Sequence, residues 1–379
     1  MSVQRLVLAT GEVRYRARVK SHGRGVASRV FARRADAIAW ESEQVRRLRL
    51  GEWIDPRRGS VPLSVVATSW LETRGSVKRR TRETDAAVWR RYIEPRFGAW
   101  PVASITGAEV ASWLGGVVAS GSAPASARRA LATLRLILAH AVDDQRVTRN
   151  VAAAVRAPRG GARREGRALT MTEIRALHTA CRGPLADVVV VLAFTGLRWG
   201  ELAGLRVGDQ VTVPGRGLRV QRALLASSEG GSLYVDSVKS GRSRTVPLLP
   251  DVAAIVDRWA ADREVVDWLF HAPGGGPLRE TNWKRSVRWV EATAAIGLPT
   301  LRVHDLRHTA ASIWLGAGAD PKVVQRVLGH ASAAMTMDLY GHMIDDNLWT
   351  AAKKLGDSTG TQSGAVFELR RGGSDGTGR

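Results

Sequence analysis

The segment Val303-His304-Asp305-Leu306-Arg307-His308-Thr309 decides how this sequence is interpreted. On a helix, His304 and Arg307 stand three residues apart, so both side chains project from one face, and His308 follows one position later. Half of the chain's eight histidines lie between residues 304 and 342. The segment is therefore a concentration of potential phosphate ligands.

The residues that follow extend this cluster. Asp320 and Pro321 form a helix start, with an N-cap aspartate and proline at the first helical position, and the helix is expected to end at Leu328-Gly329-His330. Tyr340, one of only four tyrosines, stands ten residues after His330. A histidine and a potential nucleophile thus come shortly after the first segment.

An arginine precedes the cluster at a second helix start. Thr195-Gly196-Leu197-Arg198 follows an apolar run and opens a new helix, where the guanidinium fork and the helix dipole can hold an anion together. Glu201 lies on the same face and could orient the guanidinium. The alternative for this segment alone is an Arg–Glu pair on the surface.

A lysine stands out between these two regions. Residues 233–248 are predicted to form a β-hairpin, with Lys239 at the edge of a Ser-Gly turn. It is one of seven lysines in a chain with 57 lysines and arginines. An ammonium can donate a proton at neutral pH and a guanidinium cannot, so Lys239 is a candidate general acid. The alternative is an exposed turn lysine.

Composition limits the class of protein. The 379 residues carry a formal net charge of +22, which favours a polyanion as partner, most commonly nucleic acid. With 44% hydrophobic residues the chain can bury real cores. No apolar run approaches the length of about 18 residues that a membrane helix needs, and early charged residues interrupt any signal-peptide core. A single cysteine, Cys181, excludes a disulfide framework and a thiolate metal site.

Changes in pattern predict five segments. In residues 1–58, apolar and basic residues alternate at Val13–Val19, which predicts a strand, and a helix is predicted further along. Residues 61–155 are predicted to be all helical, with basic flanks and a capping box at Thr106 and Glu109. Residues 156–167 form a basic linker, and Thr170 with Glu173 caps the first helix of a domain over 168–355. The Gly- and Ser-rich tail 356–379 is predicted to be disordered. The basic positions on the helical flanks are Lys78, Arg79, Arg80, Arg82, Arg90, Arg91, Arg128, Arg129 and Arg135.

Three interpretations of the cluster compete. A zinc site lacks an H-E-x-x-H motif or a cysteine pair. A helix-turn-helix would explain the charge and the glycine at 329, but not Arg198, Lys239 or Tyr340. A phosphate site with a tyrosine nucleophile uses all of these residues.

In their order along the chain, Thr-Gly-Leu-Arg198, Lys239, His304-x-x-Arg307, Leu-Gly-His330 and Tyr340 closely resemble the tyrosine recombinases, in particular the phage-type integrases. The resemblance implies a mainly α fold with small antiparallel β elements (α+β). It implies an arm-type DNA-binding sheet and helix module at 1–58, a helical core-binding domain at 61–155, and a mixed α/β-hairpin catalytic domain at 168–355.

The resemblance also implies the chemistry and the partners. Tyr340 would attack a DNA phosphate to form a 3′-phosphotyrosine, Arg198 and Arg307 would hold the non-bridging oxygens, and His330 would donate a hydrogen bond to the same phosphate. Lys239 would protonate the leaving 5′ oxygen, and His304 would assist proton transfer involving Tyr340. No metal, cofactor or ATP is implied.

The implied partners are double-stranded attachment sites of core and arm type, a homotetramer on DNA, and a host DNA-bending protein and an excisionase. The expected location is the bacterial cytosol, with the nucleoid. A dimer-resolving recombinase, a type IB topoisomerase and a catalytically inactive DNA-binding regulator remain the alternatives to an integrase.

Overall fold

The computed structural model describes residues 3–21, 24–50, 55–160, 166–227, 230–238 and 243–329. The chain divides into two compact units. The first is Met1–Arg163 with Ser227–Gly231, and the second is Arg164–Ala226 with Ser232–Arg379. The finer predicted division into five segments stays a prediction, and its tail at 356–379 lies outside the described residues. No helix in the described ranges is both long and apolar enough to cross a membrane.

The N-terminal segment forms an antiparallel sheet followed by a helix. Its elements, with strand order β1-β2-β3, are β1 (Gln4–Val7), β2 (Val13–Ser21), β3 (Arg24–Phe31) and α1 (Arg34–Arg49). The alternation predicted for β2 is confirmed, because Ala17 and Val19 are buried while Arg18 between them is exposed. Phe31 at the end of β3 packs on Trp40 of α1, with ring centroids 5.8 Å apart.

Within the described residues 55–160, the first unit is built mainly of helices, as was predicted for 61–155. Its helices are α2 (Pro56–Gly59), α3 (Leu63–Glu72), α4 (Arg79–Val88), α5 (Glu94–Phe97), α6 (Gly107–Ala119) and α7 (Pro124–Asp143). The predicted capping box starts α6, since the Thr106 hydroxyl accepts from the Glu109 N–H and the Glu109 carboxylate accepts from the Thr106 N–H. α7 buries an apolar stripe that includes Ala130, Leu134, Ile137, Leu138 and Ala141.

The second unit combines helices with short strands. Its elements are α8 (Met171–Ala180), α9 (Asp187–Thr195), α10 (Trp199–Ala203), β4 (Gln210–Val211), β5 (Gly217–Val220), β6 (Arg222–Ala226), β7 (Leu233–Ser237), β8 (Arg244–Pro247), α11 (Pro250–Ala260), α12 (Glu280–Ser286), α13 (Trp289–Ala295), α14 (Val303–Gly316) and α15 (Pro321–Leu328). The Thr170–Glu173 capping box starts α8 as predicted. Trp283 of α12 is fully buried in the core of this unit.

The ends of α9 and α15 meet over α14. α9 ends at Gly196, whose φ of +64° is left-handed. A Cβ at this position would lie 2.3 Å from Leu328 Cδ2 and 3.1 Å from Ala310 Cβ. Only glycine therefore fits both the backbone conformation and the space between α14 and α15.

The predicted hairpin at 233–248 is wrong in its pairing. Both strands exist, but β7 pairs with β6 and β8 pairs with β5, each antiparallel. The alternation of side chains predicts a strand but not its partner, because the same inward face can pair on either edge. β8 is thereby attached to the three-stranded sheet β4-β5-β8.

Candidate active site

Arg198 lies at the N-terminal cap of α10, two residues after Gly196. Its backbone N–H donates to Glu201 Oε2 at 2.9 Å, and its Nη1 donates to Glu201 Oε1 at 2.8 Å. Nη2 donates to the Gly329 carbonyl at 3.2 Å. About a quarter of the side chain (26%) remains exposed. The guanidinium is thus fixed on one side and open to solvent on the other.

Glu201 is a buried carboxylate shared by two arginines. Arg244 of β8 donates from Nη2 to Oε2 at 2.7 Å and from Nη1 to Oε1 at 3.2 Å, in addition to the two bonds from Arg198. Burial alone would raise the pKa of Glu201, but the hydrogen bonds and positive charge of Arg244 and Arg198 outweigh it and lower the pKa. The predicted contact with Arg198 is confirmed, and the alternative of a surface pair is wrong.

Arg307 is almost completely buried, with 4% of the residue exposed. It extends from α14, where Nη1 donates to the Gly196 carbonyl at 2.6 Å and Nη2 to the Leu328 carbonyl at 2.7 Å. Carbonyl groups orient a guanidinium without neutralising its charge.

Three arginines converge on three successive carbonyls at the end of α15. Arg244 Nε donates to Val327 at 2.8 Å, Arg307 to Leu328, and Arg198 to Gly329. The last carbonyls of a helix lack partners within the helix and carry its negative dipole end, so cations are favoured there. This helix end therefore collects arginines from α10, β8 and α14 in one place.

His304 lies one turn before Arg307 on α14, as predicted. Its ring is perpendicular to that of His308, with centroids 5.3 Å apart. Part of the His304 side chain is exposed, yet desolvation by the surrounding protein and the positive charge of His308, Arg307 and Arg302 lower its pKa to about 4. His304 is consequently neutral at pH 7. His308 is half-buried beneath Gly166.

The structure brings together three of the six predicted site residues: Arg198, His304 and Arg307. The other three, Lys239, His330 and Tyr340, lie outside the described residues. The roles of all six stay predictions.

Arg244 was missed by the sequence reasoning. Nothing in its type distinguishes it among so many arginines, but its position in β8 could have done so. Arg244 and the fully buried Val246 stand two residues apart and so share a face of the strand. An arginine on the inward face of a strand needs an acidic or carbonyl partner.

The predicted basic flank of the first unit contains arginines that hold the protein together and basic residues that are exposed. Arg135 is structural, since Nε donates to the Ala152 carbonyl at 3.0 Å and Nη2 to further carbonyls of the same segment. Arg129 forms an ion pair with the buried Asp85 but keeps much of its side chain exposed. Exposed basic positions on α4, the turn after it and the start of α7 are Arg80, Arg82, Arg90, Arg91 and Arg128.

Comparison with known proteins places this geometry in a family. Residues 167–346 match the phage integrase family, and residues 63–158 match the phage integrase central domain. The integrase of Mycobacterium phage D29 is 30% identical over 326 residues, which cover 82% of this chain and 84% of that protein.

Solved structures show the same fold. The Tn1549 transposon integrase in complex with a circular intermediate DNA has a TM-score of 0.66 at 22% identity, covering 78% of this chain and 100% of that one. A lambda integrase tetramer bound to a Holliday junction has a TM-score of 0.54 at 21% identity, covering 87% and 96%. The predicted α+β fold is confirmed. The chain belongs to the phage integrase family and is a tyrosine recombinase, an enzyme of site-specific DNA recombination.

Proposed function

We propose that the enzyme cuts and rejoins DNA strands through a 3′-phosphotyrosine intermediate and integrates a phage or other mobile element into a host chromosome. The residues proposed to carry the reaction are Arg198, Lys239, His304, Arg307, His330 and the nucleophile Tyr340. The observation that carries this proposal is the convergence of Arg198 and Arg307 on adjacent carbonyls at the end of α15.

The convergence matters because a phosphodiester is negatively charged and gains negative charge on its non-bridging oxygens during attack. Preorganised cations at those oxygens stabilise the transition state most strongly when they need no rearrangement. Arg307 is held by two carbonyls and Arg198 by Glu201 and a third, so both guanidinium groups are oriented before DNA binds.

Cleavage proceeds as one transesterification. The Tyr340 oxygen bonds to phosphorus, the bond from phosphorus to the 5′ oxygen breaks, and Lys239 protonates that oxygen. His304 assists removal of the phenolic proton. Its pKa is lowered to about 4, so the imidazole is unprotonated at pH 7. His330 donates a hydrogen bond to the phosphate.

Rejoining reverses these steps with a 5′-hydroxyl from the partner strand. Because the phosphotyrosine bond conserves the energy of the phosphodiester, the cycle needs neither ATP nor a divalent metal.

DNA contacts are divided among the parts of the chain. Arg16 and Arg18 project from the face of β2 opposite Ala17 and Val19 and are proposed to bind arm-type sites. The helical segment 61–155 and the linker 156–167 bind core sites, and four protomers assemble on two sites. A host DNA-bending protein and an excisionase are proposed partners, and the reaction takes place in the bacterial cytosol.

A covalent-adduct assay tests the chemistry. The protein is incubated in EDTA with a nicked suicide DNA carrying the core site read from the element's own integration junctions. Wild-type protein should form an adduct, Tyr340→Phe should form none, and Tyr15→Phe should serve as the matched control that keeps it. No adduct on a core site that the protein binds, or an adduct that persists in Tyr340→Phe, would refute the mechanism.

Charge removal on the N-terminal sheet tests the division of DNA contacts. Arg16→Gln with Arg18→Gln should weaken arm-site binding and lower the slope of log affinity against log salt by about 2 if each contacts one phosphate. Cleavage of an isolated core site should stay at the wild-type rate. An equal loss of both activities would contradict the proposed division.

A further inference from the structure

Arg244 makes hydrogen bonds to two parts of the candidate active site, Glu201 and the end of α15. Its side chain is 9% exposed. Nη1 and Nη2 donate to both carboxylate oxygens of Glu201, and Nε donates to the Val327 carbonyl. One guanidinium thus joins β8, the carboxylate that orients Arg198, and the end of the helix that precedes His330.

The charge balance of this cluster gives Arg244 a function beyond packing. Glu201 is buried and ionised, and a buried carboxylate is stable only beside positively charged partners. With Arg198 as its only cationic partner, the two charges would cancel. With Arg244 present, one carboxylate is shared by two guanidinium groups, and the cluster keeps a net positive charge next to Arg307.

Gly329 shows how closely the cluster is built around Arg244. This residue is left-handed, with φ of +67°, and a Cβ on it would lie 2.9 Å from Arg244 Nη1 and 3.0 Å from Cζ. Because Nη1 is already bonded to Glu201, the guanidinium cannot move aside without breaking that contact.

We propose that Arg244 is a positioning residue for strand cleavage: it holds Glu201 and shares its negative charge, so that Arg198 is presented to the scissile phosphate with its own charge available. This inference rests on the proposed function, because it assigns Arg198 to the phosphate. It adds a residue that does not itself touch DNA.

The test is single-turnover cleavage of the suicide DNA at saturating protein. Arg244→Gln should lower the rate constant by about 10²-fold, the loss typical of a misplaced catalytic group, while the Kd for core DNA is unchanged. Arg244→Lys keeps the charge but cannot bond both Glu201 and Val327. Its cleavage rate constant should therefore lie between those of the wild type and Arg244→Gln. A purely structural role would lower the amount of active protein and the reaction amplitude, but not the rate constant.

Arg222→Gln is the matched control. Arg222 of β6 forms an ion pair with Asp209, which is also buried, in the same unit. Its loss should lower thermal stability and leave the cleavage rate constant at the wild-type value.

A double-mutant cycle separates charge sharing from packing. In a Glu201→Gln background there is no carboxylate charge to share, so adding Arg244→Gln should cost far less than it does in the wild type. The inference is overturned if Arg244→Gln cleaves at the wild-type rate, or if its loss is the same in both backgrounds. The proposed function fails separately, through the absence of any Tyr340-dependent adduct with wild-type protein.

Discussion

Gly196→Ala should destabilise the second unit and slow cleavage together. Its backbone is left-handed, with φ of +64°, and a Cβ would lie 2.3 Å from Leu328 and 3.1 Å from Ala310. The left-handed conformation costs an alanine about 1–2 kcal/mol, and overpacking a close-packed site adds about 1–3 kcal/mol. The two costs together are about 2–5 kcal/mol, and a shift of about 2–4 °C per kcal/mol then predicts a melting temperature lower by about 4–20 °C.

Comparison with Gly297→Ala isolates the steric part of this loss. Gly297 is also left-handed, with φ of +74°, but nothing lies within 4 Å of a Cβ built there. This variant should lose only the conformational part, about 1–2 kcal/mol of the free energy of unfolding. Calorimetry of both variants against wild type gives the difference.

The cleavage rate supplies the second half of the test. The Gly196 carbonyl accepts from Arg307 Nη1 at 2.6 Å, so pushing α15 away from α9 also disturbs the arginine. Gly196→Ala should therefore cleave more slowly even at a temperature where it is fully folded, whereas Gly297→Ala should cleave at the wild-type rate. Equal melting temperatures for the two variants would refute the reasoning from close packing.

Three further predictions follow from the arginine cluster and His304. Glu201→Ala leaves two guanidinium groups without their shared carboxylate and should cost about 3–5 kcal/mol of stability, measured by denaturant unfolding. Arg307→Lys cannot reach the carbonyls of Gly196 and Leu328 together, so suicide-DNA cleavage should fall by about 10²–10³-fold while the protein stays folded. The lowered pKa of His304, about 4, means that the unfolded chain binds more protons at this residue between pH 4 and 6.5; stability should fall as the pH drops through that window, and His304→Gln should reduce the fall.

Local signals predicted the parts of the fold that local chemistry determines. The capping boxes at Thr106 and Thr170 mark the first residues of α6 and α8, because their hydrogen bonds close within four residues. Neither capping box depends on a distant part of the chain.

Pairing between distant residues was not predictable in the same way. The partners of β7 and β8 depend on which sheet edge is free once the chain has folded. Arg244 and Glu201 stand 43 residues apart, and no periodicity relates them. Arg198, Lys239, His304, Arg307, His330 and Tyr340 were picked out because their neighbours form motifs, and their roles stay predictions.

The end of α15 explains why the predicted residues need the unpredicted one. The last carbonyls of a helix attract cations regardless of their origin in the chain, and here three of them accept from three arginines of different elements. Without Arg244, the buried carboxylate of Glu201 would neutralise the charge of Arg198. Only one of the two positive charges of Arg198 and Arg307 would then remain. In the proposed mechanism Arg244 restores the positive surplus that a phosphate requires, so the pair of arginines proposed for catalysis depends on an arginine 46 residues after the first of them.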